Sequence, residues 1–188
     1  MSLPSIDLPL PELTPAEPHL CPPHAARILG VVGPGGIPPW HPLSGFLAEV
    51  RVRSQRLVVA NGCFDLLGVH HVRLLAFAKQ QGEVLLVLVN NDASVTAHKG
   101  PTRPLVPLAD RLVKLAQLRS VDAVVAFSEP TPETLLEGIR PHVLVRGLAA
   151  DQQPYPVAGA QHCGRLCWFA YVPGASTTAL AQRLHNVE

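Results

Sequence analysis

The sequence of 188 residues predicts a doubly wound parallel α/β sheet of about five strands. Short apolar, β-branched runs alternate with longer amphipathic segments from residue 43 to the end of the chain. Hydrophobic residues make up 47% of the chain and charged residues 15%, as in a globular domain. No apolar run approaches the roughly 20 residues of a membrane span. Strand–helix–strand repeats of this kind wind in one sense and cover both faces of a sheet.

The predicted elements follow one another in a regular order. A first helix is predicted over 43–53, where apolar residues recur at i, i+3, i+4 and i+7. Strands are predicted at Leu57–Ala60, Val84–Val89, Ala123–Phe127, Val143–Arg146 and Leu166–Tyr171. Further helices are predicted at Val69–Gln81, Leu108–Arg119, Thr131–Ile139 and Ser176–His185, with Thr131 and Ser176 as caps. This order is typical of a Rossmann-like fold.

The first 42 residues differ in composition and hold more than half of the 20 prolines. Proline fixes φ and lacks an amide donor, so we predict an irregular arm over 1–42 and a single domain over 43–188. The arm is either a disordered tail or, because it holds many apolar residues, a segment that lies on the domain or on a neighbouring subunit of a homodimer. Its Gly33-Pro34-Gly35-Gly36 run has no following Lys-Ser/Thr, which indicates a turn.

Charge and cysteine content narrow the classes of function. A formal net charge of +1 gives no global field that would recruit nucleic acid or an anionic membrane. Any phosphate must therefore be bound by a local cluster. Cys21, Cys63, Cys163 and Cys167 are scattered in a chain without a signal peptide, so we predict reduced thiols and a cytoplasmic protein. His162 beside the last two cysteines has no second pair of ligands, and we do not predict a zinc site.

The segment between the first predicted strand of the domain and its helix is the first place to look for chemistry. Its sequence is Asn61-Gly62-Cys63-Phe64-Asp65-Leu66-Leu67. In a parallel sheet the ligand crevice lies at the carboxyl ends of the strands, where loop amides and a helix N-terminus offer donors to a phosphate. We therefore predict that this loop contacts a ligand.

Several cationic and hydroxyl side chains are predicted to meet at the same edge. Lys99 and Arg103 lie on a loop bounded by proline, Arg111 starts a helix and Arg146 ends a strand. Ser176, Thr177 and Thr178 stand at a helix N-terminus. Each cation could singly be a solvated surface charge, and Ser176 could be an ordinary N-cap. Their convergence at strand ends predicts a site for a polyanion.

The ordered set of motifs resembles the HxGH nucleotidyltransferase superfamily, whose members transfer a nucleotidyl group from ATP or CTP to a phosphorylated acceptor. The blocks that carry the resemblance are 61–67, 90–94, 99–104, 109–111, 121–122, 143–147 and 176–178. Within the superfamily, the Lys-Gly-x-x-Arg-Pro run and the Ser-Thr-Thr segment are similar to the heptose 1-phosphate adenylyltransferase domain of ADP-heptose synthesis.

The resemblance implies an enzyme that uses ATP or CTP with Mg²⁺ and a sugar phosphate, and that releases pyrophosphate. It implies His71, Lys99 and Arg103 as the catalytic residues. The implied nucleotide-binding residues are Gly62, Phe64, Asp65, Gly68, His70, Arg111, Arg146, Gly147, Ser176, Thr177 and Thr178. Asp65 is expected on the side of the metal or the acceptor, although no protein side chain is predicted as a metal ligand.

The signature itself departs from the family pattern. Where the resemblance expects His-x-Gly-His, the chain has Gly68-Val69-His70-His71. Adjacent residues on a helix point about 100° apart, so we expect that His70 does not replace the missing first imidazole and that it intrudes on the base. Other histidines that could restore an imidazole are His24, His41 and, beside Lys99, His98.

A second departure follows Arg146-Gly147, where Leu148-Ala149-Ala150 replace an expected Gly-Asp-Tyr. A contact to the ribose or to the acceptor is thereby lost. Two functions stay open: an active nucleotidyltransferase that makes a nucleotide-activated sugar, or a catalytically impaired relative that binds a nucleotide or a phosphorylated ligand or serves as a docked subunit. A nicotinamide-binding domain is disfavoured, because no Gly-x-Gly-x-x-Gly follows the first strand.

Overall fold

The computed structural model describes residues 25–149 and 152–171, and within these ranges the chain forms six strands and five α-helices. The strands are β1 (Arg27–Val32), β2 (Leu57–Gly62), β3 (Val84–Asn90), β4 (Ala123–Phe127), β5 (Val143–Ala149) and β6 (Arg165–Tyr171). The helices are α1 (Pro42–Val52), α2 (Val69–Lys79), α3 (Asp92–Lys99), α4 (Leu108–Ala116) and α5 (Glu133–Ile139). A short 3₁₀ helix spans Ala160–His162.

The strands form one parallel sheet in the order β1-β4-β3-β2-β5-β6. Every residue of β3 and β4 is buried, as expected for central strands with helices on both faces. Leu86 and Leu88 pack on one face in a cluster that includes residues of α1 and α5. Leu85 and Val87 pack on the other face with residues of α2 and α4. The predicted doubly wound architecture is confirmed.

The N-terminal edge of the sheet differs from the sequence-based expectation. Residues 27–32, inside the predicted irregular arm, form β1 and pair with β4, so the sheet has six strands instead of about five. No proline lies within this segment, although prolines are dense on either side of it. Ile28 and Val31 are 48% and 49% exposed, and the register shifts between them at Gly30, whose φ is +84°. The apolar pattern is therefore not that of a regular strand.

Helix α3 is the second element that the sequence pattern did not predict. The Asn91 side chain accepts a hydrogen bond of 2.8 Å from the Ser94 amide and caps the helix. Gly100, with a φ of +94°, follows its last residue. Lys99 consequently ends a helix and does not lie on a loop. The helix predicted from Thr131 begins instead at Glu133, and the one predicted at 176–185 lies outside the described residues.

The strand order reverses next to β2, and this reversal places the site. The chain passes from β2 to β3 and β4 on one side and then crosses to β5 and β6 on the other. The carboxyl ends of β2, β3 and β5 therefore open on a crevice of the kind that binds ligands in α/β proteins. Across the described ranges, no helix combines the length and the apolar character that crossing a bilayer requires.

Candidate active site

Two imidazoles converge in the first turn of α2. The Nε2 atoms of His70 and His71 lie 3.1 Å apart, and their ring centroids are separated by 3.8 Å. The expectation that adjacent helical residues would keep these side chains apart is therefore wrong. The angle of 100° applies to the Cα–Cβ directions, whereas a side chain as long as histidine can turn back where no earlier helical turn blocks it. The N-cap residue, Gly68, has no side chain in their way.

The hydrogen bonds of His71 fix its protonation. The backbone amide of Gly68 donates to Nδ1 of His71 over 3.1 Å, so the proton of the neutral ring is on Nε2. Burial, followed by the nearby charges of His70 and Lys99, lowers the pKa of His71 to about 4. His71 is thus neutral at pH 7 and presents an N–H donor toward His70. A neutral donor of this kind can bind a phosphate oxygen without giving up a proton.

Lys99 supplies a positive charge on the same side of the crevice. Its ammonium group is close enough to His71 to lower the pKa of that imidazole, although the two residues are 28 positions apart in the chain. The side chain is exposed, and no ion pair joins it to an acidic residue in the described part of the chain. Lys99 can therefore turn toward an anionic ligand at a small cost.

Asp65 and Arg103 hold two loops of the crevice together. The Asp65 carboxylate is fully buried, pairs with the Arg103 guanidinium at 2.6 Å, and accepts hydrogen bonds from the amides of Leu105 and Val106. Burial raises the pKa of Asp65, but the hydrogen bonds from Val106, Arg103 and Leu105 outweigh it and lower the net pKa. In this arrangement Asp65 accepts from protein donors and does not face a metal or an acceptor.

Arg111 joins the loops beneath the crevice. It is 1% exposed, and its guanidinium donates to the carbonyl oxygens of Val106, Cys63 and Asn90 and to the carboxylate of Asp92. The N–H donors of the guanidinium are therefore engaged by these four acceptors within the protein. The expected contact of Arg111 with a phosphate has no support in this geometry, and we assign the residue to positioning the loops after β2 and β3.

Gly62 and Phe64 shape the end of β2. Phe64 is buried in a left-handed conformation with a φ of +48°, which costs a non-glycine residue energy. Its ring packs edge-on against His71, with centroids 5.4 Å apart. A Cβ at position 62 would lie 3.3 Å from the Phe64 ring, so a glycine is favoured there. Phe64 thus packs against His71 and helps to hold its ring in place.

A cavity of about 390 Å³ opens at the carboxyl ends of β2, β3 and β5. We call it the Arg146 cavity, and its lining includes Asn61, Cys63, His98, Arg146, Tyr155 and Val157. The Arg146 guanidinium donates to the Asn61 side chain and lies 3.5 Å from the Tyr155 hydroxyl. His71, Lys99 and Arg103 do not line this cavity. The site therefore has two parts, the α2 N-terminus and the Arg146 cavity.

The remaining predicted residues fall in several places. Gly147 follows Arg146 in β5 and pairs in register with Phe169 of β6. His98 lines the Arg146 cavity, where its Nε2 lies 2.8 Å from the Pro130 carbonyl oxygen. His41 caps α1 and contacts the Val31 carbonyl oxygen, so it does not restore an imidazole at the site. The predictions for His24, Ser176, Thr177 and Thr178 lie outside the described residues.

The sequence analysis assigned no individual contact to two residues of the Arg146 cavity, Asn61 and Tyr155. Asn61 was part of the resembling block, and its side chain accepts from Arg146. Tyr155 lies in a segment that matched no motif. Its position near the end of β5 could be found only from the fold, because nothing in the local sequence distinguishes it from an exposed loop tyrosine.

Among the described residues, no group of three or more His, Cys, Asp or Glu side chains could hold a metal ion. Asp65 and Asp92, which follow β2 and β3, form ion pairs with Arg103 and Arg111. These residues therefore do not form a protein cage for Mg²⁺. A Mg²⁺ ion bound mainly by triphosphate oxygens and water would need no such cage.

The chain is similar to known proteins over about three quarters of its length. The family model described as cytidylyltransferase-like matches residues 59–169. The bifunctional protein HldE of Alkalilimnicola ehrlichii is 42% identical over 144 residues, which are 74% of this chain and 30% of that protein. The bifunctional protein HldE of Halorhodospira halophila is 45% identical over 149 residues, or 76% of this chain and 31% of that protein. The chain thus spans about 30% of the length of these relatives.

Among solved structures, the lipopolysaccharide core biosynthesis protein from Thermoplasma volcanium GSS1 is similar with a TM-score of 0.46 and 27% identity. The alignment covers 54% of this chain and 80% of that chain. The matched family region runs from β2 into β6 and includes both parts of the candidate site. Because this region is more than half of the sequence, the chain belongs to the cytidylyltransferase-like family.

Proposed function

We propose that the protein is a nucleotidyltransferase that transfers an adenylyl group from ATP to a sugar phosphate such as heptose 1-phosphate. The observation that carries the proposal is the convergence of His70, His71 and Lys99 at the N-terminus of α2. Support comes from the family, from the relatives named bifunctional protein HldE, and from the motifs that resemble a heptose 1-phosphate adenylyltransferase domain. A homodimer and a cytoplasmic location stay predictions.

In the proposed reaction, an oxygen of the acceptor phosphate attacks the α-phosphorus of ATP and forms a new P–O bond. The bond between that phosphorus and the oxygen bridging to the β-phosphate breaks, and pyrophosphate leaves with the electron pair. The nucleophile is already anionic, so no general base has to remove a proton from it. The protein contributes alignment of two polyanions and stabilisation of the charge that builds up on the reacting phosphoryl group.

The residues at α2 are suited to that task. The Nε2–H group of neutral His71 faces Nε2 of His70, and we propose that it turns from that nitrogen to a phosphoryl oxygen when the nucleotide binds, with the His70 imidazole beside it. The first backbone amides of α2 have no partner within the helix and favour an anion at this end. Lys99 adds a full positive charge. These donors are preorganised by Phe64 and Gly68, so little reorganisation is needed when charge develops.

Mg²⁺ belongs to the proposal as a companion of the nucleotide. Bound by triphosphate oxygens, it would neutralise charge on the β- and γ-phosphates. Arg103 is proposed as a catalytic residue only through the guanidinium donors that its pairing with Asp65 leaves available. Arg146 is proposed to bind a phosphate in the Arg146 cavity.

Pyrophosphate release tests the proposal directly. The full chain would be incubated with ATP or CTP, Mg²⁺, and heptose 1-phosphate or one of several hexose 1-phosphates. We expect release with ATP and at least one sugar 1-phosphate, and no release when the acceptor is omitted. Thermal stabilisation by ATP and Mg²⁺ without any release would instead identify a nucleotide-binding relative that does not turn over.

A further inference from the structure

The Arg146 guanidinium lies half-buried in its cavity without an acidic partner. Its donors reach the Asn61 side chain and main-chain carbonyl oxygen and, at 3.5 Å, the Tyr155 hydroxyl. The buried Nε has no hydrogen-bond partner, and no ion pair includes Arg146 in the described part of the chain. A cation held partly out of water and not neutralised by the protein favours an anionic ligand. The cavity therefore suits a phosphate.

Tyr155 contacts the side chains of two neighbouring strands, Arg146 and Trp168. Arg146 and Trp168 are register partners on the neighbouring strands β5 and β6. The Tyr155 ring packs edge-on against Trp168, with centroids 5.0 Å apart and planes at 61°. The ring is held by this contact and is still 42% exposed at the cavity. An exposed aromatic ring thus lies next to the Arg146 guanidinium.

A ring and a guanidinium side by side match the two halves of a sugar phosphate. The apolar C–H face of a sugar can pack on an aromatic ring while its phosphate pairs with arginine. The base of the nucleotide is a poorer match, because it carries no charge for Arg146. The triphosphate has its own proposed donors at the α2 N-terminus, and His71 and Lys99 do not line the cavity.

We propose that Tyr155 is a specificity-determining residue that packs against the sugar ring of the acceptor while Arg146 binds the acceptor phosphate. The inference rests on the proposed function and adds to it the place of the acceptor. It assigns a role to the segment 152–158, which follows β5 and matches no motif of the nucleotide site.

The test compares three variants of the full chain by steady-state kinetics. Tyr155→Ala removes the ring, Tyr155→Phe removes only the hydroxyl, and Trp40→Ala removes an aromatic ring that is 82% exposed and outside the cavity. We expect Tyr155→Ala to raise the KM for the sugar 1-phosphate about three- to tenfold, the range of a single aromatic contact, with the KM for ATP within about twofold. Trp40→Ala should stay close to the unchanged protein, and Tyr155→Phe, which keeps the ring, should recover most of the affinity for the sugar 1-phosphate that Tyr155→Ala loses.

An unchanged acceptor KM in Tyr155→Ala, or an increase confined to the KM for ATP, would overturn the inference. Calorimetric titration with heptose 1-phosphate and with hexose 1-phosphates gives a readout that does not need turnover. If no pyrophosphate forms but a sugar phosphate binds and Tyr155→Ala weakens it, the proposed reaction fails while the acceptor site stands. If the unchanged protein binds no sugar phosphate, the acceptor site is wrong. Thermal unfolding of each variant confirms that the exposed substitutions leave the fold intact.

Discussion

The histidine pair at the start of α2 allows a sharp test, because the sequence and the geometry lead to opposite expectations. If His70 only obstructs the site, restoring the His-x-Gly-His signature at positions 68 and 70 should increase turnover. If His70 supplies the second imidazole from a different position, the same two substitutions should change turnover little. The variants needed are His70→Ala, His70→Gly and the double variant Gly68→His/His70→Gly.

The expected magnitudes follow from the contacts. The two Nε2 atoms are 3.1 Å apart, so both imidazoles can serve the same phosphoryl group. Loss of one preorganised donor costs about 10²- to 10³-fold in kcat, or about 2.7–4 kcal/mol. We expect His70→Ala and His70→Gly to fall near the lower end of this range. Gly68 has φ −98° and ψ 169°, an extended conformation that histidine adopts freely, so the double variant should return to within about tenfold of the natural protein.

The assay is steady-state pyrophosphate release at saturating ATP and acceptor, with His162→Ala as a control from the 3₁₀ helix outside the site. Thermal unfolding separates catalysis from stability, because glycine in the first turn of α2 can itself cost up to about 1 kcal/mol. A His70→Ala variant with unchanged kcat would refute the reasoning. So would a double variant at least 10²-fold faster than the natural protein, since that gain would show that His70 impairs the site.

Three further results are expected. Lys99→Ala should lower kcat/KM for ATP about 10²-fold without changing the melting temperature. The control Lys114→Ala, on the exposed side of α4, should change neither kcat/KM nor the melting temperature. Equal effects of the two substitutions would show that Lys99 does not belong to the site. Asp65→Ala should cost about 3–5 kcal/mol in urea unfolding, because it leaves Arg103 and two amides without their acceptor, and a loss below about 1 kcal/mol would contradict the buried pair. The pKa of His71 is about 4 in the folded chain and 6.5 in the unfolded chain, so the unfolded state binds the proton more readily. The free energy of unfolding should therefore fall by on the order of 3 kcal/mol as the pH drops from 6.5 to 4. His71→Asn, which keeps an acceptor for the Gly68 amide, should flatten that fall, and identical pH profiles of the two proteins would disprove the assignment.

Much of the fold could be predicted because β2 to β6 carry strong local signals. Strands β3 and β4 are almost entirely apolar, and such strands are stable only where helices cover both faces of the sheet. Strand β1 escaped prediction because an edge strand buries only Leu29 and Val32, and a glycine breaks its alternation. Helix α3 escaped because it is only eight residues long and mostly polar. Both depend on tertiary partners more than on their own residues.

At the site, the sequence predicted His71, Lys99 and Arg146 as site residues, but it did not indicate what each one contacts or that His71 and Lys99 lie outside the Arg146 cavity. Arg111 and Lys99 look alike as cations after strand ends, yet one is buried among carbonyl oxygens and the other is exposed. Only three-dimensional packing distinguishes them, because the acceptors of Arg111 come from Cys63, Asn90 and Val106, which are far apart in the sequence. The meeting of His70 and His71 depended in the same way on side-chain torsions that no spacing rule contains.

The hydrogen bonds of Asp65 and Arg111 have a consequence for how the sugar specificity of such a protein could change. These two residues tie together the loops after β2 and β3 and the segment before α4, but they make no hydrogen bond to residues 152–158. Replacements in that outer segment would leave the hydrogen bonds of Asp65 and Arg111 undisturbed. A lineage could thus exchange one sugar for another through a few surface substitutions, and a designer could follow the same route.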